Sequence, residues 1–337
     1  MENERVVISR YGPPSVLTMV REPIPVPRRG EIRIKVEAAG VSFGDVAQRS
    51  GLFFAGAPKT PYTPGYDVAG TVDALGDGVA NIATGDRVAA LTLFGGYTRY
   101  ICVPAGWVVK ILPDMDPAMV VALVLNYTSA WQMLQRVARV RRGDSILVYG
   151  GSGGVGTALL DLAKHFELVV AAGVSKRWQD LLRNEADLLF DEREPASREL
   201  LRRFRPAGFN AAFDPIGGSH VWKTRSFVAP HGKLVPFGIS GAVRPGGRRN
   251  LADVVRLGLL LGFARLWKRP EVELYAMDRR IKTDRHEINA DLAKLIELLG
   301  SGEIAPRIGA RFALHEVPQA HERLESRNNV GKIVLIP

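Results

Sequence analysis

Between Ser145 and Lys164 the chain reads SILVYGGSGGVGTALLDLAK. Gly151, Gly153 and Gly156 fall in a G-x-G-x-x-G spacing, with an apolar strand-like run before them and an amphipathic helix-like run after. Alone the spacing is weak; between a strand and a helix it is specific. The glycines permit a tight turn and let backbone approach a pyrophosphate. The helix N-terminus adds free N–H groups and a partial positive charge. The chemistry indicated is dinucleotide binding. The plainer alternative is a glycine-rich turn with no ligand.

The next strand selects between dinucleotides. An NAD site usually places Asp or Glu about 20 residues beyond the fingerprint, on the ribose 2′-hydroxyl. Here Ala172-Gly173-Val174 runs into Ser175-Lys176-Arg177, with no acid. A 2′-phosphate suits Lys and Arg, and a carboxylate would repel it. The expectation is NADPH over NADH, unless Lys176 and Arg177 form only a solvated loop.

These segments need a scaffold, and 337 residues with 46% apolar content can build about two domains. Cys102 is the sole cysteine, which excludes an internal disulfide and a multi-cysteine zinc or iron–sulfur site. The opening MENERVVISR has no apolar run of a signal peptide, so the expected location is cytoplasmic. The apolar stretch Leu257 to Ala264 is too short to span a bilayer, which takes about 20 residues. The formal charge of +10 comes from dispersed residues without a nucleic-acid motif, so no nucleic-acid partner is expected.

Residues 1–110 carry strand and turn signals: Arg5–Ser9, Glu31–Ala38, Gly70–Leu75 and Asp86–Leu93 read as strands between proline- and glycine-rich turns. Near Asn126 the character changes. Ser129–Ala138 has helical spacing, and short strands at 145–149, 168–172, 188–190, 211–213 and 233–237 then alternate with helices at 154–165 and 178–184. That alternation implies a parallel sheet covered on both faces. Val272–Met277 reads as one more strand, Ile288–Leu299 as a helix, and GKIVLI as a final strand. The pattern suits a nucleotide domain inserted into a β-rich one.

The segments PYTPGYDVAGTV (61–72), GDRV (85–88), SGGVG (152–156), FDPIGG (213–218) and GKIVL (331–335) resemble the medium-chain dehydrogenase/reductase superfamily. Within it the chain resembles the zinc-independent quinone oxidoreductase, or zeta-crystallin-like, branch. VSFGDV and PYTPGYD also resemble the synaptic vesicle membrane protein VAT-1 subgroup. The resemblance implies an α/β fold: a GroES-like β-rich catalytic domain over 1–125, completed by 278–337, and a Rossmann NADPH-binding domain, a doubly wound parallel sheet, over 126–277. It implies a homodimer paired through the last Rossmann strand, here Val272–Met277.

Zinc-dependent relatives carry Cys where this chain has Ser42 and His where it has Tyr66, so no metal site is expected. Family patterns place Ser152, Gly153, Gly154 and Val155 on the diphosphate, and Asn126, Thr128, Phe237, Gly238 and Ile239 around the nicotinamide. Asn329 and Gly331 resemble the C-terminal loop that reaches the cofactor; Ser175, Lys176 and Arg177 take the ribose phosphate. A tyrosine that aids adenine binding in relatives is replaced by Glu192, and a tyrosine of the first domain by Phe53.

The candidate catalytic residues are Tyr62 and Ser42. Tyr62 could polarise a carbonyl or protonate an enolate, or it could simply pack on a pocket wall. Asp45 and Arg49, four apart, have the spacing of a helical ion pair. Asp214 reads as a turn organiser, and the six histidines as surface or core residues.

Without a Lewis acid, hydride transfer needs an electron-poor acceptor. The function implied is NADPH-dependent reduction of a quinone or an α,β-unsaturated carbonyl, enone or enoyl. The alternative is a VAT-1-like or crystallin-like NADPH-binding module with little turnover. The basic, apolar segment 244–269 leaves peripheral membrane contact open beside a dimer contact or a pocket wall.

Overall fold

A computed structural model describes residues 2–52, 58–244, 248–249, 255 and 270–337. Phe53 and the body of the segment 244–269 lie outside the described residues. The chain divides into two compact units: Met1–Thr128 with Pro245–Arg248 and Asp278–Pro337, and Ser129–Arg244 with Arg249–Met277.

The first unit opens with the hairpin β1 (Glu2–Ile8) and β2 (Leu17–Pro23). Strand β3 (Glu31–Val41) turns Ile32, Ile34 and Val36 inward and Lys35 to solvent, the period-two pattern of a half-buried strand. Helix α1 (Phe43–Arg49) follows directly. Strands β4 (Asp67–Leu75), β5 (Arg87–Leu91), β6 (Tyr100–Pro104) and β7 (Val108–Lys110) extend the sheet by antiparallel pairing.

Helix α2 (Pro117–Ala122) then widens into π-helical turns over Leu123–Tyr127 and Gln132–Ala138, with α-helix at Thr128–Trp131 between them. The reading of 129–138 as helix is correct in place but not in winding. Apolar spacing does not distinguish a π turn, and such turns concentrate at functional sites.

The second unit is a six-stranded parallel sheet. In chain order its strands are β8 (Ser145–Val148), β9 (Val169–Gly173), β10 (Leu188–Phe190), β11 (Phe209–Asp214), β12 (Val228–Pro236) and β13 (Glu271–Val272). In space they run β10-β9-β8-β11-β12-β13. This is the doubly wound dinucleotide order, whose strand order reverses beside β8. Helices α3 (Gly154–His165), α4 (Lys176–Leu182), α5 (Ser197–Phe204) and α6 (His220–Arg225) connect it. The last strand is only Glu271–Val272, and Met277 already begins a helix to Thr283. The expected strand to Met277 is thus not formed.

One contact ties the carboxyl edge of this sheet together. His220, first residue of α6, holds Asp214 at the end of β11 through Nδ1 (2.8 Å) and Glu192 beyond β10 through Nε2 (3.0 Å). Asp214 Oδ1 meanwhile accepts the N–H groups of Ile216 and Gly217, organising their turn. Burial draws the imidazole pKa down, but the hydrogen bonds to Asp214 and Glu192 more than offset it and push it up to about 9. Such an imidazole is protonated at neutral pH.

The chain then returns to the first unit. Helix α7 (Arg285–Gly300) precedes β14 (Ile308–Ala313), α8 (Val317–Glu325) and β15 (Lys332–Ile336), which pairs with β3. Here Lys332 Nζ meets Asp67 Oδ2 at 2.6 Å, the two side chains 1% and 0% exposed. They meet across β3 at Gly40, where a Cβ would sit 2.3 Å from Lys332 Cε and 2.4 Å from Asp67 Oδ1. The missing side chain makes room for the pair.

Removing one partner of a buried pair strands the other charge, at about 3–5 kcal/mol. Lys332→Met is expected to lower unfolding stability by that order, and Asp67→Asn added to it should recover part of the loss; urea denaturation measures both. For His220 the sign follows from a folded pKa of about 9 against 6.5 for the free group. Its stabilisation is complete below 6.5 and is lost as pH rises through 9, about 3 kcal/mol in all. The urea midpoint should fall across that window, and His220→Gln should flatten the fall.

Candidate functional site

Strand β8 ends at Val148 and the chain reverses through Tyr149–Gly153 to start α3. Gly151 N–H donates to Gly173 O at 3.0 Å and Gly153 N–H to Gly150 O at 2.9 Å. A Cβ on Gly156 would lie 2.1 Å from Gly150 O, so only glycine lets the helix begin this close to the strand. No side chain caps α3 at Gly153. The N–H groups of its first turn are therefore open to an external acceptor, and the turn's backbone is bare on the side the glycines line. Ser152, Gly153, Gly154 and Val155 all belong to this turn, half-buried or exposed. This cradle fits the pyrophosphate of a dinucleotide.

At the end of β9, Ser175 precedes α4, and Lys176 and Arg177 stand exposed on its first turn. Lys176 Nζ is 3.7 Å from Glu194, and the Arg177 guanidinium lies 5.2 Å from the Trp178 ring centre. An acid that sequence reasoning passes over is nearby. Asp191, one residue past β10, accepts the Lys176 N–H at 3.0 Å and the Arg193 Nε at 2.9 Å. Arg193 holds its carboxyl well below the usual carboxylate range. The charge of Asp191 is thus matched by a guanidinium rather than left facing Lys176 alone. Glu192 turns to His220 instead of outward.

The loop after β12 completes the edge. Phe237 N–H donates to Asp214 O at 2.9 Å and Ser240 N–H to Pro215 O at 3.1 Å. Ile239 thereby lines a cavity of about 400 Å³ with Ile216, Gly217, Gly218 and His220. Phe237, Gly238 and Ile239 thus follow the carboxyl end of β12, as the glycine turn follows β8 and Lys176 follows β9. In an open parallel sheet this is the edge where ligands bind.

The first unit holds the remaining candidates. Ser42 is the N-cap of α1, and Asp45 closes a capping box with it. The Asp45 carboxylate accepts from Ser42 N (2.8 Å), Ser42 Oγ (2.7 Å) and Gly65 N (3.0 Å). Arg49 pairs with Glu325 and donates to Gly12 O, both far in sequence, so the expected Asp45–Arg49 ion pair is not the one made. The i,i+4 spacing was present, but each buried group takes partners from segments distant in the chain.

Tyr62 is buried, edge-on to Phe94 at 5.8 Å, and its hydroxyl has no hydrogen-bond partner among the described residues. Burial, then the charges of Tyr11 and Asp45, raise its pKa. Asn126 sits buried in the first π turn, and Thr128 Oγ1 donates to Leu123 O at 3.1 Å, five residues back. Asn329 Nδ2 donates to Gly331 O at 2.8 Å, closing a tight loop before β15.

Sequence reasoning missed His220, which it grouped with the scattered histidines, and the Ser42–Asp45 side-chain bond. The second had a legible signal in the S-x-x-D spacing ahead of a helix. Among the described residues no group of three or more His, Cys, Asp or Glu side chains is placed to hold a metal ion. Also among them, no helix is long and apolar enough to cross a membrane.

Residues 28–114 match the family model of the alcohol dehydrogenase GroES-like domain, and residues 184–335 that of the zinc-binding dehydrogenases. The mouse synaptic vesicle membrane protein VAT-1 homolog-like is 30% identical, over 99% of this chain and 81% of that protein. Human quinone oxidoreductase is 28% identical, over 98% of this chain and 97% of that protein. Among solved structures, mycobacterial Rv1454c complexed with NADPH superposes with a TM-score of 0.84 at 29% identity, covering 99% of this chain and 100% of that one. A match of this identity running nearly end to end makes the chain a member of the medium-chain dehydrogenase/reductase superfamily of oxidoreductases, within its zinc-independent quinone oxidoreductase and VAT-1 branch.

Proposed function

We propose that the chain is an NADPH-dependent reductase that acts without a metal on a quinone or an α,β-unsaturated carbonyl. The observation that carries this reading is the uncapped glycine turn before α3, with Lys176 and Arg177 on the neighbouring strand end. The relatives named quinone oxidoreductase and the NADPH complex of Rv1454c support it.

Bound NADPH supplies a hydride. The chain's part is to hold it and to manage charge and protons. The N–H groups of Gly154 and Val155, with Ser152 and the bare backbone of Gly153, take the diphosphate. Ser175, Lys176 and Arg177 take the 2′-phosphate, where two positive charges meet a doubly charged group. Family patterns assign Asn126, Thr128, Phe237, Gly238, Ile239, Asn329 and Gly331 to the nicotinamide. Hydride addition to a conjugated carbonyl builds negative charge on oxygen, and a hydrogen-bond donor there lowers the barrier. Tyr62 suits that role, since its hydroxyl is buried, un-ionised and without a partner among the described residues.

A second reading is a VAT-1-like module that binds NADPH and turns it over little; the end-to-end similarity to the VAT-1 homolog-like protein favours it. NADPH consumption with quinones, enones and enoyl thioesters, in the presence of a zinc chelator, separates the two. Turnover unaffected by the chelator is expected. Tight NADPH binding without turnover on any acceptor would support the module instead. The KM for NADPH should lie well below that for NADH, and Lys176→Ala with Arg177→Ala should raise the former by on the order of tenfold per charge removed. Equal values for the two cofactors would remove the assignment of these side chains.

Tyr62→Phe should separate stability from activity. Deleting a buried hydroxyl that lacks a partner leaves stability unchanged or slightly raised. Loss of a hydrogen-bond donor at the reacting carbonyl should cut kcat about tenfold or more. Unchanged kcat would reduce Tyr62 to a packing contact on Phe94.

A further inference from the structure

We propose that Asp45 is the proton source for the reduction, delivering through the hydroxyl of Ser42. The inference rests on the reductase reading, and on Ser42 facing the reacting substrate within it.

The observation is a hydrogen bond that a helix cap does not need. A capping box requires Ser42 Oγ to accept from Asp45 N and the Asp45 carboxylate to accept from Ser42 N. Both bonds are present, at 3.4 and 2.8 Å. The shortest contact is a third one, directly between the side chains: Ser42 Oγ donates to Asp45 Oδ2 at 2.7 Å. Gly65 N–H fixes the other carboxylate oxygen at 3.0 Å, so the carboxylate cannot swing away. Asp45 is 0% exposed and Ser42 is 8% exposed. The pair therefore leads from a sealed acid to a residue that keeps a small accessible surface.

Such a pair has two proton arrangements. With Asp45 ionised, Ser42 O–H points inward to the carboxylate. With Asp45 protonated, its O–H donates to Ser42 Oγ and the serine proton is free to point outward. Hydride addition leaves the substrate as an enolate, or as a hydroquinone monoanion, short of one proton. Ser42 Oγ gives up its proton to that carbon or oxygen, forming one C–H or O–H bond. The Asp45 proton moves to Ser42 Oγ, and a carboxylate remains. Water reloads the carboxylate between turnovers. The hydride carries both electrons of the reduction, so the pair moves protons alone.

The surroundings suit a reservoir. Burial raises the Asp45 pKa, the Ser42 hydroxyl lowers it, the Asp67 charge raises it, and the Ser42 N–H and Lys332 lower it; the balance is about 6. Tyr62, Tyr66 and Tyr97 all lie within the reach of its charge and are held un-ionised by burial. Behind Tyr97 stands His321, 3.2 Å from its hydroxyl and kept neutral by burial and by the charge of Arg49.

Two variants separate the relay from the cap. Ser42→Gly keeps a residue that caps well and deletes the hydroxyl, while Ser42→Thr keeps both. With folding and NADPH binding verified, Ser42→Gly should lose about tenfold or more in kcat with little change in NADPH affinity, and Ser42→Thr should stay close to wild type. In wild type kcat should decline as pH rises through about 6, because the protonated acid is the donor. Asp45→Asn should lower kcat and abolish that limb.

A second readout needs no turnover. Infrared titration of the free protein should show a buried carboxylic C=O band with a midpoint near 6. It should vanish in Asp45→Asn and move to higher pH in Ser42→Gly, where the hydroxyl no longer favours the ionised form. An active wild type whose Ser42→Gly matches Ser42→Thr in kcat and pH profile overturns the relay and leaves the reductase standing. A wild type inert to every acceptor overturns the reductase reading, and the relay with it.

Discussion

Gly156 and the carbonyl oxygen of Gly150 approach so closely that a single methyl group would separate them. Helix α3 can begin directly over the end of β8 only because that methyl is missing. From this contact follows the direction in which the first-turn N–H groups point, and hence where an anion can sit. The sheet order then arranges the rest. With β8 at the reversal of strand order, the loops after β9, β11 and β12 gather on the same edge. Lys176, the Asp214 turn and Ile239 arrive there from three different strands. A larger residue at 156 would tilt the helix and misplace the phosphate cradle relative to all three.

The first unit answers a different demand, the placing of charge inside a β-rich core. Burying one ion is costly unless its partner is brought with it. Asp67 and Lys332 meet that condition across Gly40, and Arg49 meets it with Glu325. Asp45 differs in its partners, although burial raises the pKa of both carboxyls, its own and that of Asp67. Among the described residues it is buried with hydrogen-bond donors and no cation in direct contact, and burial pushes its carboxyl up to about 6. An acid that is neither firmly ionised nor firmly neutral is unsuited to stability and suited to exchanging a proton. Its position on the capping residue of α1 gives that exchange a direction.

How much of this was legible in the sequence varies with the range of the interaction. The turn at Gly151–Gly156 and helix 154–165 were readable to the residue, because glycine spacing and apolar periodicity are local and unambiguous. The fold class followed from strand–helix alternation together with the resemblance. The π-helical winding around Asn126 was not readable, since it changes the backbone register without changing the apolar pattern. The regular last Rossmann strand stops at Val272, although Glu273 and Tyr275 still donate backbone bonds to β12, and the helix that begins at Met277 ends the run. Arg49 was assigned to Asp45 on helical spacing, although its partner lies 276 positions away. Long-range pairing of buried charges leaves no periodic trace, and neither does the pair of acids that meets at His220.

His220 also bears on cofactor choice. An outward carboxylate at Glu192 would lower the positive potential beside Lys176 and Arg177, the residues proposed for the ribose phosphate. Protonated His220 draws Glu192 inward, and Arg193 neutralises Asp191 next to it. Two acids that would disfavour a 2′-phosphate are thereby each given an internal cation. What remains exposed just past the end of β9 is the positive charge of Lys176 and Arg177, with Glu194 3.7 Å from the Lys176 ammonium. In the proposed ribose-phosphate site the pairing of Asp191 with Arg193 and of Glu192 with His220 therefore counts beside the basic residues themselves.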